Sequence, residues 1–208
     1  IRIGGRGTTF CPKCQKYPND TTVFAIVGKI ASGKSTALNY FKSLGYNTIS
    51  ADEIVKILYQ KPDVIAKIKR HFASAIINNV IDTKILRDLI NSNSNKKKQL
   101  ESIIHPLVEN ELNEFIHHSH TKFTFIEVPL LFEANMDYLA DKIIGISASK
   151  DVQIAHLHKR GVNDVEAYLK LNDTNTFDKN IAKMDYIVTP SDDINEFENK
   201  LKGIIENQ

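Results

Sequence analysis

From Val23 onward, short apolar runs alternate with stretches in which apolar residues recur every three or four positions. The run VFAIV (23–27) is continuously apolar and mostly β-branched or aromatic, the pattern of a strand buried on both faces. NTIS (47–50), FTFIEV (123–128), KIIGIS (142–147) and DYIVT (185–189) predict four further strands. Helical periodicity runs through 32–44, 52–60 and 64–72, through a long excursion at 83–119, and through a terminal amphipathic segment at 194–207. Gly45 is placed to close the first helix as its C′ residue, and Lys61-Pro62 to stop the second. Strands alternating with helices predict an α/β fold: a five-stranded parallel sheet with right-handed crossovers. The stretch between the second and third strands is too long for one crossover and predicts a helical insertion carrying a substrate site. Within it, NSNSNKKK (91–98) reads as a short polar, basic turn between helices.

Composition narrows the class. With 42% hydrophobic and 25% charged residues over 208 positions, the chain can bury a full core as one domain with a subdomain. A net charge of only +2 points to neither a nucleic-acid binder nor a membrane-surface protein. No run of 18 apolar residues exists, and the N-terminus lacks a secretory profile. The two cysteines, Cys11 and Cys14, do not make a disulfide scaffold, so a reducing, cytoplasmic setting is expected. The chain begins at Ile1 in already patterned sequence, which reads as a processed chain or a piece of a longer one.

The strongest chemical signal is GKIASGKS (28–35), a match to G-x-x-x-x-G-K-[ST] that follows a strand and opens a helix. Backbone N–H groups of such a loop converge on phosphate oxygens, and the helix N-terminus adds partial positive charge. Gly28, Lys29, Ile30, Ala31, Ser32, Gly33, Lys34, Ser35 and Thr36 are therefore the expected ATP cradle. Lys34 is suited to the β- and γ-phosphates, and the Ser35 hydroxyl to Mg²⁺. Asp52 falls just past the second strand, at the carboxyl edge where parallel α/β sheets bind ligands. A carboxylate there can take the proton of an attacking hydroxyl, or it can simply favour the dipole of the helix it opens.

Other constellations carry blander readings. His117, His118 and His120 fit a solvated helix terminus better than a metal cluster, and Lys96, Lys97 and Lys98 a solvated turn. On its own pattern, His105 reads as a structural histidine before a helix-starting Pro106.

The order GKIASGKST, FKSLGYNTISADEI, IIHPLVENEL (103–112) and IEVPLLFEAN (126–135) resembles the dephospho-CoA kinase family over about residues 22–208. The resemblance implies a P-loop α/β/α kinase fold with a helical CoA-side insertion at about 52–120 and a lid at about 150–178. It implies Mg-ATP-dependent phosphorylation of the ribose 3′-hydroxyl of dephospho-CoA. By position it makes Asp52 the catalytic carboxylate, with Lys34 and Arg160 balancing transition-state charge. It places His105, Pro129, Leu130 and Glu133 at the substrate with Asp52, and Leu131 within the same signature, although on their own pattern the leucines and Phe132 read as packing. The chain departs from the pattern in several places. Ser50 stands where a first carboxylate is usual, and Lys29 and Ala31 replace loop glycines. In the lid, His156 and Asn180 (beside Lys179) replace arginines. Another small-molecule P-loop kinase, a DNA-binding repair module resting on residues 1–16 alone, and a degenerate nucleotide binder are the rival readings.

RGTTFCPKCQK (6–16) resembles the C-terminal half of the zinc finger of formamidopyrimidine-DNA glycosylases. That resemblance implies a phosphate-gripping role for Arg6 and zinc ligation by Cys11 and Cys14. The zinc role holds only if a second CxxC lies upstream, in a fused or misjoined glycosylase. For the chain as given, residues 1–21 read as an extension with inert thiols, and no nucleic-acid partner is expected for the kinase domain.

Overall fold

The computed structural model describes residues 2–3, 6–7, 20–170, 172, 175–191 and 193–208, the first four as backbone only. Cys11, Cys14 and the Arg6 side chain, with the zinc-finger reading that rests on them, lie outside the described residues. Arg2–Ile3 (β1) and Arg6–Gly7 (β2) form a small antiparallel ladder.

The chain divides into two compact units, residues 1–48 with 115–208, and residues 49–114. The first is built on strands Thr22–Gly28 (β3), Phe123–Glu127 (β7), Lys142–Ile146 (β8) and Tyr186–Val188 (β9). Asn47–Ser50 (β4) completes a five-stranded sheet of order β4-β7-β3-β8-β9. The β7–β3, β3–β8 and β8–β9 ladders are all parallel. The loop-bearing strand β3 is thus central, and its residues Val23–Gly28 are all buried.

One face of the sheet carries alternate residues of each strand, as the two-residue period requires. Phe24 and Ile26 of β3, Phe123 and Phe125 of β7, and Ile144 and Ile146 of β8 form a cluster beneath helices Lys34–Ser43 (α1) and Ile194–Glu206 (α8). Helix α1 supplies Ala37, Leu38 and Phe41, and α8 supplies Phe197, Leu201 and Ile204. Phe41 stacks on Phe125 at 3.7 Å between ring centroids, and Phe24 lies 5.2 Å beyond. This column packs the C-terminal half of α1 onto the sheet, while Ala37 and Leu38 anchor the turn nearer the β3–α1 loop.

The second unit contains Ala51–Leu58 (α2), Pro62–Lys69 (α3), a hairpin of Ile76–Ile77 (β5) with Val80–Ile81 (β6), Thr83–Asn91 (α4) and most of Ser94–His117 (α5). Helices α3 and α4 pack on the single turn Ala73–Ala75. Two expectations are corrected here. Pro106 does not start a helix but sits inside the 24-residue α5, on its exposed side, where water can replace the hydrogen bond that proline cannot make. Lys96, Lys97 and Lys98 lie within α5 and not in a turn, because the helix already begins at Ser94. Between the predicted helices 64–72 and 83–119 the chain forms the β5–β6 hairpin; Asn78 and Asn79 take φ of 50° and 61°, the left-handed pair that a tight two-residue turn demands. Among the described residues no helix is long and apolar enough to cross a membrane.

Candidate active site: the phosphate loop and its surroundings

The loop between β3 and α1 has the backbone its sequence requires. A Cβ on Gly28 would lie 2.6 Å from Ser32 Oγ and 2.7 Å from Ile146 O, so only glycine fits. Gly33 caps α1 at φ 102°, a conformation that costs glycine little. No side chain caps the N-terminus of α1 and no acidic residue occupies its first turn, so the orphan N–H groups there keep their affinity for an anion. Ala31, at φ 56°, is a non-glycine in the left-handed region and needs its surroundings to hold it.

The side chains converge in the same sense. Lys34 is only 8% exposed, and its Nζ donates to Lys29 O at 2.9 Å, arching over the loop. Ser32 Oγ is buried without a hydrogen-bond partner among the described residues, an arrangement that asks for a ligand oxygen. Ser35 and Thr36 are exposed at the start of α1, and Ser35 Oγ donates to Glu127 Oε1 at 3.3 Å. Glu127 was missed in the sequence. It ends β7, opposite Ile26 in register, and is 4% exposed. A carboxylate is costly to bury, so its place behind the loop serine marks it as part of the site. The signal was there: it is the one acidic residue in the apolar run FTFIEV.

Residues from the third strand onward close round the loop. Lys29 Nζ pairs with Asp178 Oδ2 at 2.6 Å, Ile30 N donates to Asn172 Oδ1 at 2.8 Å, and His156 Nδ1 lies 2.8 Å from Ala31 O. With Ala31 O as the acceptor, that imidazole nitrogen carries the proton. His156 belongs to helix Lys150–Lys159 (α6), and Asn172 follows Val165–Lys170 (α7). Lys29, Lys150 and Lys170 share a cavity of about 460 Å³ with Gln153, Glu166 and Asn172. Glu133 Oε1 accepts from Thr176 N at 2.5 Å, and Asn175 Nδ2 donates to Pro129 O at 3.4 Å. The Pro-Leu-Leu-x-Glu segment therefore holds the Asn175 side chain and the Thr176 backbone, next to the small cleft that Gly28 shares with Pro129 and Phe177.

The expected residues are placed differently from one another. Gly28 through Thr36, Pro129 and Glu133 come together round the loop. Leu131 is fully buried as packing, and Leu130 is half-buried. Arg160 ends α6 as an exposed side chain, with no hydrogen bond or ion pair to its guanidinium among the described residues. Asn180 uses its amide on Thr176, not on the loop. Asp52 and His105 belong to the second unit. Asp52 is exposed in the first turn of α2 beside Glu53, and His105 is half-buried in α5. His117 and His118 stack edge-to-face at 5.3 Å, and among the described residues no three ligands gather as a metal site.

A family model described as dephospho-CoA kinase matches residues 22–196, from the start of β3 into α8. The chain belongs to the dephospho-CoA kinase family. The dephospho-CoA kinase of Bartonella quintana (strain Toulouse) is 31% identical over 189 residues, covering 89% of this chain and 97% of its own. That of Fusobacterium nucleatum is 29% identical, with 88% and 97% covered. Among solved structures, a Thermus thermophilus protein superposes with a TM-score of 0.79 at 22% identity, over 90% of this chain and 97% of its own. The Campylobacter jejuni dephospho-CoA kinase does so at 0.61 and 24%, with the same coverage. A shikimate kinase from Acinetobacter baumannii reaches 0.54 at 15%, over 91% of this chain and 96% of its own. At these identities the structures speak for the fold, a P-loop kinase architecture on a five-stranded parallel sheet.

Proposed function

We propose that this chain transfers the γ-phosphoryl group of ATP to the ribose 3′-hydroxyl of dephospho-CoA, giving coenzyme A and ADP. The observation that carries this is the coincidence of a fully formed phosphate loop with a family match running from residue 22 to 196. The loop amides from Gly28 to Thr36 cradle the triphosphate, and Lys34 turns from Lys29 O to the β- and γ-phosphate oxygens. The buried Ser32 hydroxyl gains an acceptor there.

Ser35 and Glu127 offer hard oxygen donors 3.3 Å apart, the donor chemistry that Mg²⁺ favours. Mg²⁺ held there would neutralise charge on the β- and γ-phosphates. Asp52 is assigned as the base on its place after β4 and on the family pattern. It takes the proton of the 3′-hydroxyl as the O3′–P bond forms and the bond from phosphorus to the bridging oxygen breaks, with ADP leaving. Arg160 and Lys34 balance the charge that develops on the transferred group. The acceptor is assigned to the helical segment at about 52–120 with His105, and to Pro129, Leu130 and Glu133. Residues of about 150–178 serve as the lid. Cys11 and Cys14 supply two of the four ligands of a zinc site, so they would bind zinc only with a further pair from outside the sequence given.

ADP release, coupled to an optical readout, should be measured with ATP, Mg²⁺ and an acceptor panel of dephospho-CoA, nucleosides, nucleoside monophosphates and shikimate. Turnover with dephospho-CoA well above the rest is expected. Preference for another acceptor would leave the loop chemistry standing and overturn the substrate.

A further inference from the structure

The lid-side segments do more than cover the loop. Three side-chain amide contacts run in series from the loop to the turn before α6. Ile30 N donates to Asn172 Oδ1 at 2.8 Å, Asn172 Nδ2 donates to Gln153 Oε1 at 3.0 Å, and Gln153 Nε2 donates to Ala148 O at 2.9 Å. The series fixes each amide's orientation, since reversing Asn172 would set its N–H₂ group against the Ile30 N–H. Gln153 is 5% exposed, so its polar atoms have to be satisfied where they are, and both are. His156 lies three residues further on the same helix, on the same face, and holds Ala31 O. Helix α6 therefore grips two consecutive loop residues, Ile30 through its N–H by way of Asn172, and Ala31 through its carbonyl. The gripped segment includes Ala31 at φ 56°, a left-handed conformation that a side-chain-bearing residue keeps only when its neighbours enforce it.

We propose that Asn172, locked in orientation by Gln153, is a positioning residue of the nucleotide site. It sets the Lys29–Ala31 turn so that the following amides, up to Ser35, meet the triphosphate already oriented. The relay replaces by side-chain contacts the freedom that a glycine at position 31 would supply. This rests on the loop being the ATP site, and is independent of which acceptor is phosphorylated.

Equilibrium titration with a fluorescent ATP analogue reads the site without an acceptor, and steady-state kinetics adds the split between the two substrates. Asn172 is half-buried, so Asn172→Ala should fold. It is expected to weaken nucleotide binding and raise KM for ATP about tenfold, the ~1.4 kcal/mol of one lost hydrogen bond. KM for dephospho-CoA should hold, and kcat should stay within about twofold. Gln153→Ala should act through the same relay, so the double variant should bind ATP no more weakly than the worse single one. Unchanged ATP affinity in Asn172→Ala, equal rises in both KM values, or strictly additive losses in the double variant would each overturn the proposal. A wild-type chain that binds ATP and phosphorylates no acceptor would overturn the acceptor assignment and leave the binding test of Asn172 decisive.

Discussion

In the phosphate loop, Gly28 and Lys34 are held by near neighbours: Lys34 bonds Lys29 O five residues back, and the room at Gly28 is taken first by Ser32. For Asn172, Thr176 and Asp178, the partners are far away. Ile30 to Asn172 spans 142 residues, Lys29 to Asp178 spans 149, and Glu133 to Thr176 spans 43. Both regions build the same site, yet one is written in adjacent residues and the other in pairs that only folding brings together. Locally enforced geometry should break sharply when altered, whereas the distant contacts should fail by degrees.

The largest effect is expected at Lys34. Lys34→Ala removes the cation assigned to the transferred phosphate and should lower kcat by about 10²- to 10³-fold, the scale of losing one preorganised charge partner. Thermal unfolding should confirm that the variant is folded. Gly28→Ala forces a Cβ against a backbone carbonyl 2.7 Å away, and should cost about 1–3 kcal/mol of stability together with ATP affinity. A fall in Tm of several degrees with lost nucleotide binding is the expected pair of readings. Glu127→Gln keeps the volume and removes the charge behind Ser35. It should raise the Mg²⁺ concentration for half-maximal rate by about tenfold or more, because the assigned Mg²⁺ site loses its charged oxygen donor. An unchanged Mg²⁺ dependence would remove Glu127 from the site. The smallest effect belongs to Asp178→Ala, since the Asp178 side chain is 65% exposed and such pairs contribute ~0.2–1 kcal/mol. A change in KM for ATP of less than about fivefold, shrinking further in high salt, is expected there. A loss as large as that of Lys34→Ala would erase the distinction between the two regions.

The same distinction explains what was legible in the sequence. The strand, loop and helix from Val23 to Ser43 could be read because glycine, lysine and apolar period act over a few residues. Glu127 could have been read, but one charge in a run of apolar residues was absorbed into the strand that carries it. Asn172 and Gln153 could not be read, because nothing near either residue in the chain shows that it meets the loop. The β5–β6 hairpin escaped because each strand is two residues long, too short to show an alternation, although the Asn78-Asn79 pair was a turn signal. Pro106 misled for a different reason. A proline inside a helix is penalised by one lost bond, and an exposed position lets water make up for it.

The most direct test of the proposed chemistry follows the phosphorus itself. Phosphorus NMR of a reaction containing ATP, Mg²⁺ and dephospho-CoA should show a new 3′-phosphomonoester signal growing as ADP forms. Asp52→Asn should abolish that growth and still bind ATP. Phosphate appearing on water or on another hydroxyl, or Asp52→Asn turning over at the wild-type rate, would contradict the assignment of both acceptor and base.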